Sequence, residues 1–359
     1  MKNLHMIAVE IRPDWVLRDA SGTATALPVL LTLLGAVRAT GSISKAATEC
    51  RLSYRHAWGM LEQFKQQFGA ELVVKVRGQG TVLSPLAEKL IWADRRISAR
   101  LTPTLDSLAS ELEQELASVL DERPQALRIT ASHGFAVAAL VSQLQEQGIV
   151  VDVKYRGSTE AVAALARGEC ELAGFHLPVG EFEKAAAAKY RPWLNPRQHE
   201  LIHLAFRNQG IFVAKGNPKQ ISGLADLARA GVRFVNRQQG SGTRVLLDLL
   251  LANEGIERSA IAGYETAEFT HAAVAAYVAS GMADASFGVE TAARRFDLQF
   301  IPVIRERYFL ACDKKALAAP MLAAAQQTMA SEAFKAVLAQ LPGYDGELSG
   351  THLDMESLF

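Results

Sequence analysis

Residues 40–69 read TGSISKAATECRLSYRHAWGMLEQFKQQFG and decide the fold of the amino-terminal part of the chain. Gly41 ends one helix, and the next helix holds two adjacent small residues, Ala46 and Ala47. Ser53 then caps a longer helix. Small residues in the first of two such helices allow the second helix to cross close to it. The stretch therefore predicts a helix-turn-helix.

The helix after Ser53 has one apolar side and one polar side. Its apolar residues recur at the spacing of an amphipathic helix: Ala57, Leu61, Phe64 and Phe68. The opposite side near the amino end holds Ser53, Tyr54, Arg55, Trp58 and Gly59. The guanidinium of Arg55 can fork onto a guanine edge in a DNA major groove. Trp58 suits a DNA contact and a core position equally well.

A short hairpin is predicted after this helix. Residues 72–83 read as strand, turn and strand, which form a wing beside the helices. Lys75 and Arg77 in this wing suit contacts with DNA phosphates. An alternating stretch over 5–20 indicates a further short hairpin. Together these features predict an α+β winged helix-turn-helix domain over residues 1–84.

This segment resembles the ModE and LysR families of bacterial winged regulators. Their Gly-Ser pair, paired alanines and Ser-capped recognition helix are met in order, and LVVKVRGQGTVLSPLAEKL (72–90) is similar to their wing. The resemblance covers about residues 25–100 and implies binding to a double-stranded DNA operator. The residues expected to contact DNA are Ser42, Ser44, Lys45, Ser53, Tyr54, Arg55, Trp58, Lys75 and Arg77. The alternative is a small helical bundle with a solvated basic face.

The charge of the chain is zero overall but unevenly distributed. Between Leu30 and Arg100, eleven Lys and Arg stand against five Asp and Glu, so the positive excess coincides with the DNA motif. The three cysteines are far apart and lack C-x-x-C spacing, which predicts neither a disulfide framework nor a zinc site. The opening MKNLHMIAVEIRPDW lacks the pattern of a signal peptide, and long apolar runs are absent. We therefore expect a cytoplasmic protein without membrane contact.

A long amphipathic linker helix is predicted over residues 85–122. Pro85 starts it, since proline is favoured in a first helical turn, and Pro103 is a candidate break. Its apolar residues are Leu86, Leu90, Ile97, Leu101, Leu105, Leu108, Leu112 and Leu116. Such a helix suits a homodimer, or a tetramer built as a dimer of dimers, with an ordinary core helix as the alternative.

From residue 123 to 359, strands and helices alternate, which predicts an α/β domain with a parallel sheet and covering helices. The predicted strands are 127–131, 150–155, 171–175, 202–206, 211–214, 232–235, 262–267 and 284–288. A helix over 222–229 is among the predicted connections. Ligands of such sheets bind at the carboxyl ends of the strands. The binding residues are therefore expected in loops that follow strands.

Three loops that follow strands carry residues suited to an anion. The strongest is FVNRQQGSGTR (234–244), where glycines, hydroxyls and free amides gather at a helix start. The others are TASHG (130–134) and RGST (156–159). With His176 after the third strand, the candidate ligand-binding residues are Ser132, His133, Gly157, Ser158, Thr159, His176, Gly240, Ser241, Gly242, Thr243 and Arg244. The alternative is ordinary helix caps and a structural histidine.

The carboxy-terminal part resembles a type II periplasmic-binding-protein domain, in particular the molybdate-type version attached to winged helices in bacterial regulators. The stretch NRQQGSGTRVLLD (236–248) carries most of the resemblance, with YRGS (155–158) and LPGY (341–344). It covers about residues 125–345.

The resemblance implies a two-lobed, periplasmic-binding-protein-like effector domain in which a ligand closes the cleft between the lobes. Lobe 1 is expected at about 123–207 and 304–359, and lobe 2 at about 208–303, with the chain crossing near Asn208 and Val303. By resemblance the effector is molybdate or tungstate. Formate or another small carboxylate would suit the same hydroxyls and amides, with Arg244 or His133 as its counter-charge.

Two other classes of protein remain open at this stage. Ser132-His133 and His271 could belong to an enzyme with a nucleophile, but the chain lacks a G-x-S-x-G elbow, a metal-ligand cluster and a carboxylate pair. A transport binding protein would carry a signal peptide and no helix-turn-helix. We therefore expect no catalytic residue, no metal site and no cofactor other than the small anionic effector.

Overall fold

The computed structural model describes residues 9–18, 22, 24–119, 126–353 and 355–358. The chain divides into two compact units. The first is Arg12–Leu101, and the second runs from Thr102 onward together with residues 9–11. The division falls inside one long helix rather than at 84/85, and the predicted boundary at 122/123 lies outside the described residues. In the described part, no helix combines the length and apolar character needed to cross a membrane.

The first unit contains three helices and two short antiparallel hairpins, followed by the start of the long helix. Its elements are β1 (Val16–Arg18), β2 (Ala24–Ala26), α1 (Pro28–Thr40), α2 (Ile43–Glu49), α3 (Tyr54–Phe68), β3 (Val73–Val76), β4 (Gly80–Leu83) and α4 (Pro85–Val119). β1 pairs with β2, and β3 pairs with β4. The prediction of a hairpin contained within 5–20 was wrong, because the partner of β1 lies at 24–26; residues 5–8 are not among those described.

α2 and α3 of the first unit begin where serine side chains cap them. Ser42 Oγ accepts a hydrogen bond from the backbone N–H of Lys45 at 3.4 Å, and Ser53 Oγ accepts one from His56 at 3.2 Å. The core holds apolar side chains from α1, α2 and α3, including Leu30, Leu33, Leu34, Val37, Ala46, Ala47, Ala57, Leu61 and Phe64. The small alanines of α2 are fully buried, so this helix packs closely against its neighbours.

The turn between β3 and β4 contacts the turn that ends α1. The backbone N–H of Thr81 donates to the carbonyl oxygen of Gly41 at 2.8 Å. Gly80 has a φ of +80°, and a Cβ at this position would lie 2.5 Å from the same oxygen. Gly78, in the same turn, has a φ of +81° but open space around it. Both glycines thus have a positive φ, and only Gly80 also has a backbone atom close to the position of a Cβ.

We predict that Gly80→Ala destabilises the first unit more than Gly78→Ala does. The positive φ costs an alanine about 1 to 2 kcal/mol at either position, and only Gly80→Ala adds a backbone clash. Scanning calorimetry of the full-length variants measures the difference. Equal losses would contradict the close contact between the two turns.

α4 is continuous from Pro85 to Val119 and contains Pro103, so the candidate break at this proline is not realised. A proline inside a helix removes one backbone N–H donor, and the helix nevertheless continues past Pro103. One turn later, Ser107 Oγ donates to the Pro103 carbonyl oxygen at 3.0 Å. Four of the predicted apolar residues are exposed on this helix: Leu101, Leu108, Leu112 and Leu116.

The second unit is an α/β structure with two lobes. Its elements are β5 (Leu127–Ala131), α5 (Phe135–Glu146), β6 (Val151–Tyr155), α6 (Ser158–Ala166), β7 (Leu172–Pro178), α7 (Glu183–Ala187), β8 (His199–Val213), β9 (Phe234–Arg237), α8 (Gly242–Asn253), β10 (Ala267–Glu268), α9 (His271–Ala279), β11 (Ala285–Val289), α10 (Glu290–Arg295), β12 (Gln299–Asp313), α11 (Pro320–Ala330), α12 (Glu332–Ala339), β13 (Tyr344–Asp345) and β14 (His352–Leu353).

Two long antiparallel strands, β8 and β12, join the lobes. The sheet has the order β10-β9-β11-β8-β12-β7-β5-β6, and β13 and β14 also pair with β8. β5 is parallel to β6 and β7 in one lobe, and β9 is parallel to β10 and β11 in the other. Asn208 and Val303 lie within the two joining strands. The carboxyl ends of the parallel strands thus face the junction of the lobes.

Three sequence predictions for this unit were wrong. The strands predicted at 202–206 and 211–214 are one strand, β8, and its pairing with β12 is antiparallel. A Cβ on Gly210 would lie 2.1 Å from the carbonyl oxygen of Ile301, so glycine at this position allows the two strands to approach closely. The segment predicted as a helix over 222–229 is a short 3-10 helix, Leu224–Ala228, and the strand predicted at 262–267 is reduced to β10.

Candidate functional site

Polar side chains from both lobes gather where the lobes meet along β8 and β12. We call this group the interlobe cluster: Ser158, His176, Arg207, Gln209, Arg237, Thr243, His271 and Glu306. All eight residues are buried. Ser158 and His176 come from the first lobe, Arg237, Thr243 and His271 from the second, and the remaining three from the joining strands. Buried polar residues in such number need partners, which makes the cluster the candidate site.

The predicted loops of the two lobes touch at this cluster. Ser158 Oγ lies 3.3 Å from His176 Nδ1. A Cβ on Gly242, at the start of α8, would lie 3.4 Å from Ser158 Oγ and 3.6 Å from His176 Nδ1. A Cβ on Gly157 would lie 3.3 Å from the carbonyl oxygen of Gly240. A cavity of about 20 Å³ is lined by Thr159, His176, Gly240, Gly242, Lys189 and Glu306, among others.

A hydrogen-bonded chain connects the joining strands to α8. Arg207 Nε and Nη2 donate to Glu306 Oε2 at 2.9 and 2.8 Å. Gln209 Nε2 donates to the same carboxylate oxygen at 2.6 Å and to Thr243 Oγ1 at 3.0 Å. The side chains of Arg207 and Glu306 are only 1% and 2% exposed. The ion pair therefore lies in a low dielectric, where its hydrogen bonds hold the geometry firmly.

Several buried nitrogen atoms in the cluster have no hydrogen-bond partner among the described residues. Arg237 donates through Nη2 to the Phe269 carbonyl oxygen at 2.8 Å, but its Nε and Nη1 are unpartnered. His176 Nε2, Arg207 Nη1 and His271 Nδ1 are unpartnered as well. Burying such donors costs free energy unless an acceptor is present. A small anion supplies several acceptors at once.

Burial and positive neighbours lower the pKa values of Arg237 and of the histidines in and next to the cluster. Burial, with the charge of Arg207, lowers the pKa of Arg237 to about 9. Burial also holds the pKa of His176 and His271 well below the ordinary value, and Arg207 and Arg237 add to this effect. The pKa of His133 falls to about 4 because of burial, followed by Arg237 and Arg295. The histidines are neutral at pH 7, so the guanidinium groups supply the positive charge.

The remaining predicted ligand residues lie around or outside this cluster. Ser132 accepts a hydrogen bond on its carbonyl oxygen from Tyr308 Oη at 3.1 Å, and His133 packs edge-on against Tyr155. Ser241 caps α8 by accepting from the Arg244 N–H at 3.2 Å. The Arg244 guanidinium contacts Glu265 at 3.3 Å and stacks 4.2 Å above Tyr264, so it is already paired in the second lobe. The positive charge of the cluster comes instead from Arg237, because Arg207 is paired with Glu306.

Sequence reasoning missed Arg207, Gln209, Arg237 and Glu306 and treated His271 only as a candidate nucleophile. Arg207 and Gln209 lie in the polar stretch between the two strands predicted at 202–206 and 211–214, so no local signal in the sequence indicates that they are buried within one strand. Within the described ranges, no group of His, Cys, Asp and Glu is arranged to hold a metal ion.

The predicted DNA-contacting residues of the first unit lie on its surface. Tyr54 and Trp58 are 54% and 44% exposed, and their rings stack at a centroid distance of 6.5 Å on α3. Trp58 therefore lies outside the core. The other exposed members are Ser44, Lys45, Ser53, Arg55, Lys75 and Arg77, and Ser42 is half-buried at its cap.

These features define a two-lobed α/β domain with a buried polar cluster between the lobes, preceded by a separate helical unit. A family profile described as "PBP superfamily domain" matches residues 141–330, more than half of the chain. The chain belongs to this PBP superfamily.

Individual proteins are also similar to part of the chain. The uncharacterized protein YvgK of Bacillus subtilis is 38% identical over 197 residues, which cover 55% of this chain and 63% of YvgK. The molybdenum-pterin-binding protein MopB of Rhodobacter capsulatus is 37% identical over 110 residues, or 30% and 40% of the two chains. The molybdenum transport protein ModE of Azotobacter vinelandii is 24% identical over 160 residues, or 42% and 58%. The chain thus spans less than two thirds of each of these proteins.

Proposed function

We propose that this protein is a DNA-binding transcription regulator whose affinity for its operator is controlled by a small oxyanion bound in the interlobe cluster. The observation that carries the proposal is the set of buried, unpartnered nitrogens on Arg237, His176 and His271, because a small anion would supply acceptors for the guanidinium of Arg237 there. Molybdate or tungstate is the proposed effector, and the names of MopB and ModE, which mention molybdenum, favour it over formate.

The first unit is the proposed DNA-binding module, a winged helix-turn-helix. α3 is the proposed recognition helix, because its amino end presents Tyr54, Arg55 and Trp58 on an exposed face opposite its buried stripe. Lys75 and Arg77 on the β3–β4 hairpin are placed at an exposed edge that suits phosphate contacts. In a winged helix-turn-helix of this kind, α3 contacts base edges in the DNA major groove and the β3–β4 hairpin contacts the phosphates of the DNA backbone.

α4 is the proposed route by which the anion influences DNA binding. In the second unit Ser110 Oγ lies 3.4 Å from Asp152 Oδ1, and Ser107 Oγ accepts from the Tyr155 N–H at 3.3 Å. Both contacts tie α4 to β6, the strand that leads directly into Gly157 and Ser158. A ligand that prefers one arrangement of this loop shifts the population of α4 positions by its difference in affinity.

Arg55→Ala is expected to weaken specific operator binding by about 1 to 3 kcal/mol, because a bidentate arginine contact with guanine has about that value. Fluorescence anisotropy at fixed salt with labelled DNA from upstream of the gene's own operon measures it. Gln66→Ala, at the exposed far end of α3, is the matched control and should bind as the parent does. Equal operator affinity for Arg55→Ala and the parent would defeat the assignment of α3.

A homodimer through α4 is also proposed, because Leu108 and Leu112 form an exposed apolar stripe with Leu101 and Leu116. Light scattering should give twice or four times the mass of one chain. The double variant Leu108→Glu with Leu112→Glu should be monomeric and should bind the operator more weakly, since two linked heads raise affinity. A parent that is monomeric at micromolar concentration would contradict the dimer.

The function as a whole is tested by repeating the operator titration with and without molybdate. A change in operator affinity on adding molybdate or tungstate is the expected result. Operator binding that ignores both oxyanions would contradict the proposed regulation, and absence of specific DNA binding would contradict the proposed class of protein.

A further inference from the structure

We infer that His176 makes the interlobe cluster selective for doubly charged oxyanions over monoanions, because a dianion is bound together with one proton on this imidazole. The inference rests on the proposed function, namely that an anion binds in the interlobe cluster.

His176 lies at the centre of the contact between the lobes. Its side chain is buried. Ser158 Oγ is 3.3 Å from its Nδ1, and the Tyr308 ring packs against its imidazole at a centroid distance of 4.0 Å. The start of α8 at Gly242 faces it from the other lobe, and the imidazole lines the cavity there. Its Nε2 is buried and unpartnered, so one hydrogen-bonding position is available to a ligand.

The fixed charges around His176 do not balance a dianion. Arg207 is neutralised by Glu306, which leaves the guanidinium of Arg237, with its unpartnered Nε and Nη1, as the positive charge facing the imidazole. Lys189 at the cavity wall is exposed to solvent and also interacts with Asp248, and Arg295 acts on His133. Glu268 lies in register with Arg237 on the next strand and adds negative charge. Against this background the cluster offers at most one unmatched positive charge, that of Arg237, so a dianion leaves at least one negative charge unmatched.

Protonation of His176 supplies the missing charge. Burial and the charges of Arg207 and Arg237 keep the pKa of this imidazole well below its ordinary value when no anion is present, so it is neutral at pH 7. His271 and His133, which carry the same positive surroundings, are neutral for the same reasons. A dianion next to Nε2 reverses the sign of the local field and raises the pKa of the imidazole. Uptake of one proton then makes the affinity for the dianion rise by about tenfold for each unit that the pH falls.

Calorimetry of the full-length protein with molybdate and with formate, at pH 6, 7 and 8, tests the inference. Titrations in two buffers of different ionisation enthalpy count the protons. We expect uptake of about one proton with molybdate, a dissociation constant that falls by about tenfold per pH unit toward pH 6, and weaker, nearly pH-independent binding of formate. His176→Gln should remove the pH dependence for molybdate, and His352→Gln, which removes a half-exposed surface histidine, should keep it.

The outcomes separate the inference from the proposed function. Molybdate binding without proton uptake by the parent, or a pH dependence that persists in His176→Gln, would overturn the inference and leave an anion site standing. Binding of formate as tight as that of molybdate would overturn the selectivity. Absence of binding by every anion tested would overturn the proposed function itself. The proton count on the parent decides the matter even if His176→Gln does not fold.

Discussion

Arg237→Met is expected to weaken the binding of molybdate by roughly a hundredfold or more, about 3 kcal/mol. The guanidinium of Arg237 is buried, and its Nε and Nη1 are free to donate two charge-assisted hydrogen bonds to a ligand. Methionine keeps the apolar stem of the side chain and removes both donors and the charge. The loss should appear in the calorimetric dissociation constant, and operator binding without the anion should be unchanged.

Arg244→Met is the matched control, because this second arginine of the same loop is also buried. Its guanidinium is paired with Glu265 and Tyr264, so its removal should change the dissociation constant for molybdate only slightly. If Arg237→Met binds molybdate as the parent does, or if Arg244→Met loses as much affinity, the interlobe cluster is assigned to the wrong arginine.

Glu306→Leu is expected to destabilise the second unit by about 3 to 5 kcal/mol, because it leaves the Arg207 guanidinium buried without a counter-charge. Gln209 would lose its carboxylate acceptor at the same time. The double variant Arg207→Met with Glu306→Leu removes both charges and should be markedly more stable than the single variant. Scanning calorimetry of the full-length proteins measures both.

An exposed ion pair of the same unit provides the scale for this effect. Lys215 and Asp297 lie 3.2 Å apart, and their side chains are about four fifths exposed. Asp297→Asn should therefore cost less than about 1 kcal/mol. A Glu306→Leu protein that is as stable as Asp297→Asn, or no less stable than the double variant, would show that the Arg207–Glu306 pair does not hold the joining strands together.

The local elements of the first unit could be predicted because short-range signals specify them. Ser42 and Ser53 cap the helices where the pattern places them, and the buried stripe of α3 follows its apolar spacing. α4 continues past Pro103 because tertiary packing overrides a local preference, and this could not be predicted from the spacing alone. The pairing of β8 with β12 was missed because it depends on the close approach of two strands that are distant in sequence, which glycine at position 210 allows.

The residues of the candidate site also fall into two groups, those that local sequence features indicate and those that only the folded sheet brings together. Its loops at Ser158 and at Gly242 and Thr243 are visible in the sequence, because hydroxyls and glycines at helix starts are local features. Arg207 and Glu306 are separated by 99 positions and meet only because β8 and β12 pair across the junction of the lobes. The role of Arg237 depends likewise on which side chains face it after folding. Contacts of this kind require the topology of the sheet.

The central claim, that a small oxyanion binds between the lobes, is tested most directly by calorimetric titration of the full-length protein with molybdate, tungstate, sulfate and formate in turn. The account predicts one saturable site per chain for molybdate or tungstate, with weaker binding of formate and with the heat lost in Arg237→Met. A parent protein that gives no binding heat with any of these anions, together with no change in its melting temperature, would contradict the account.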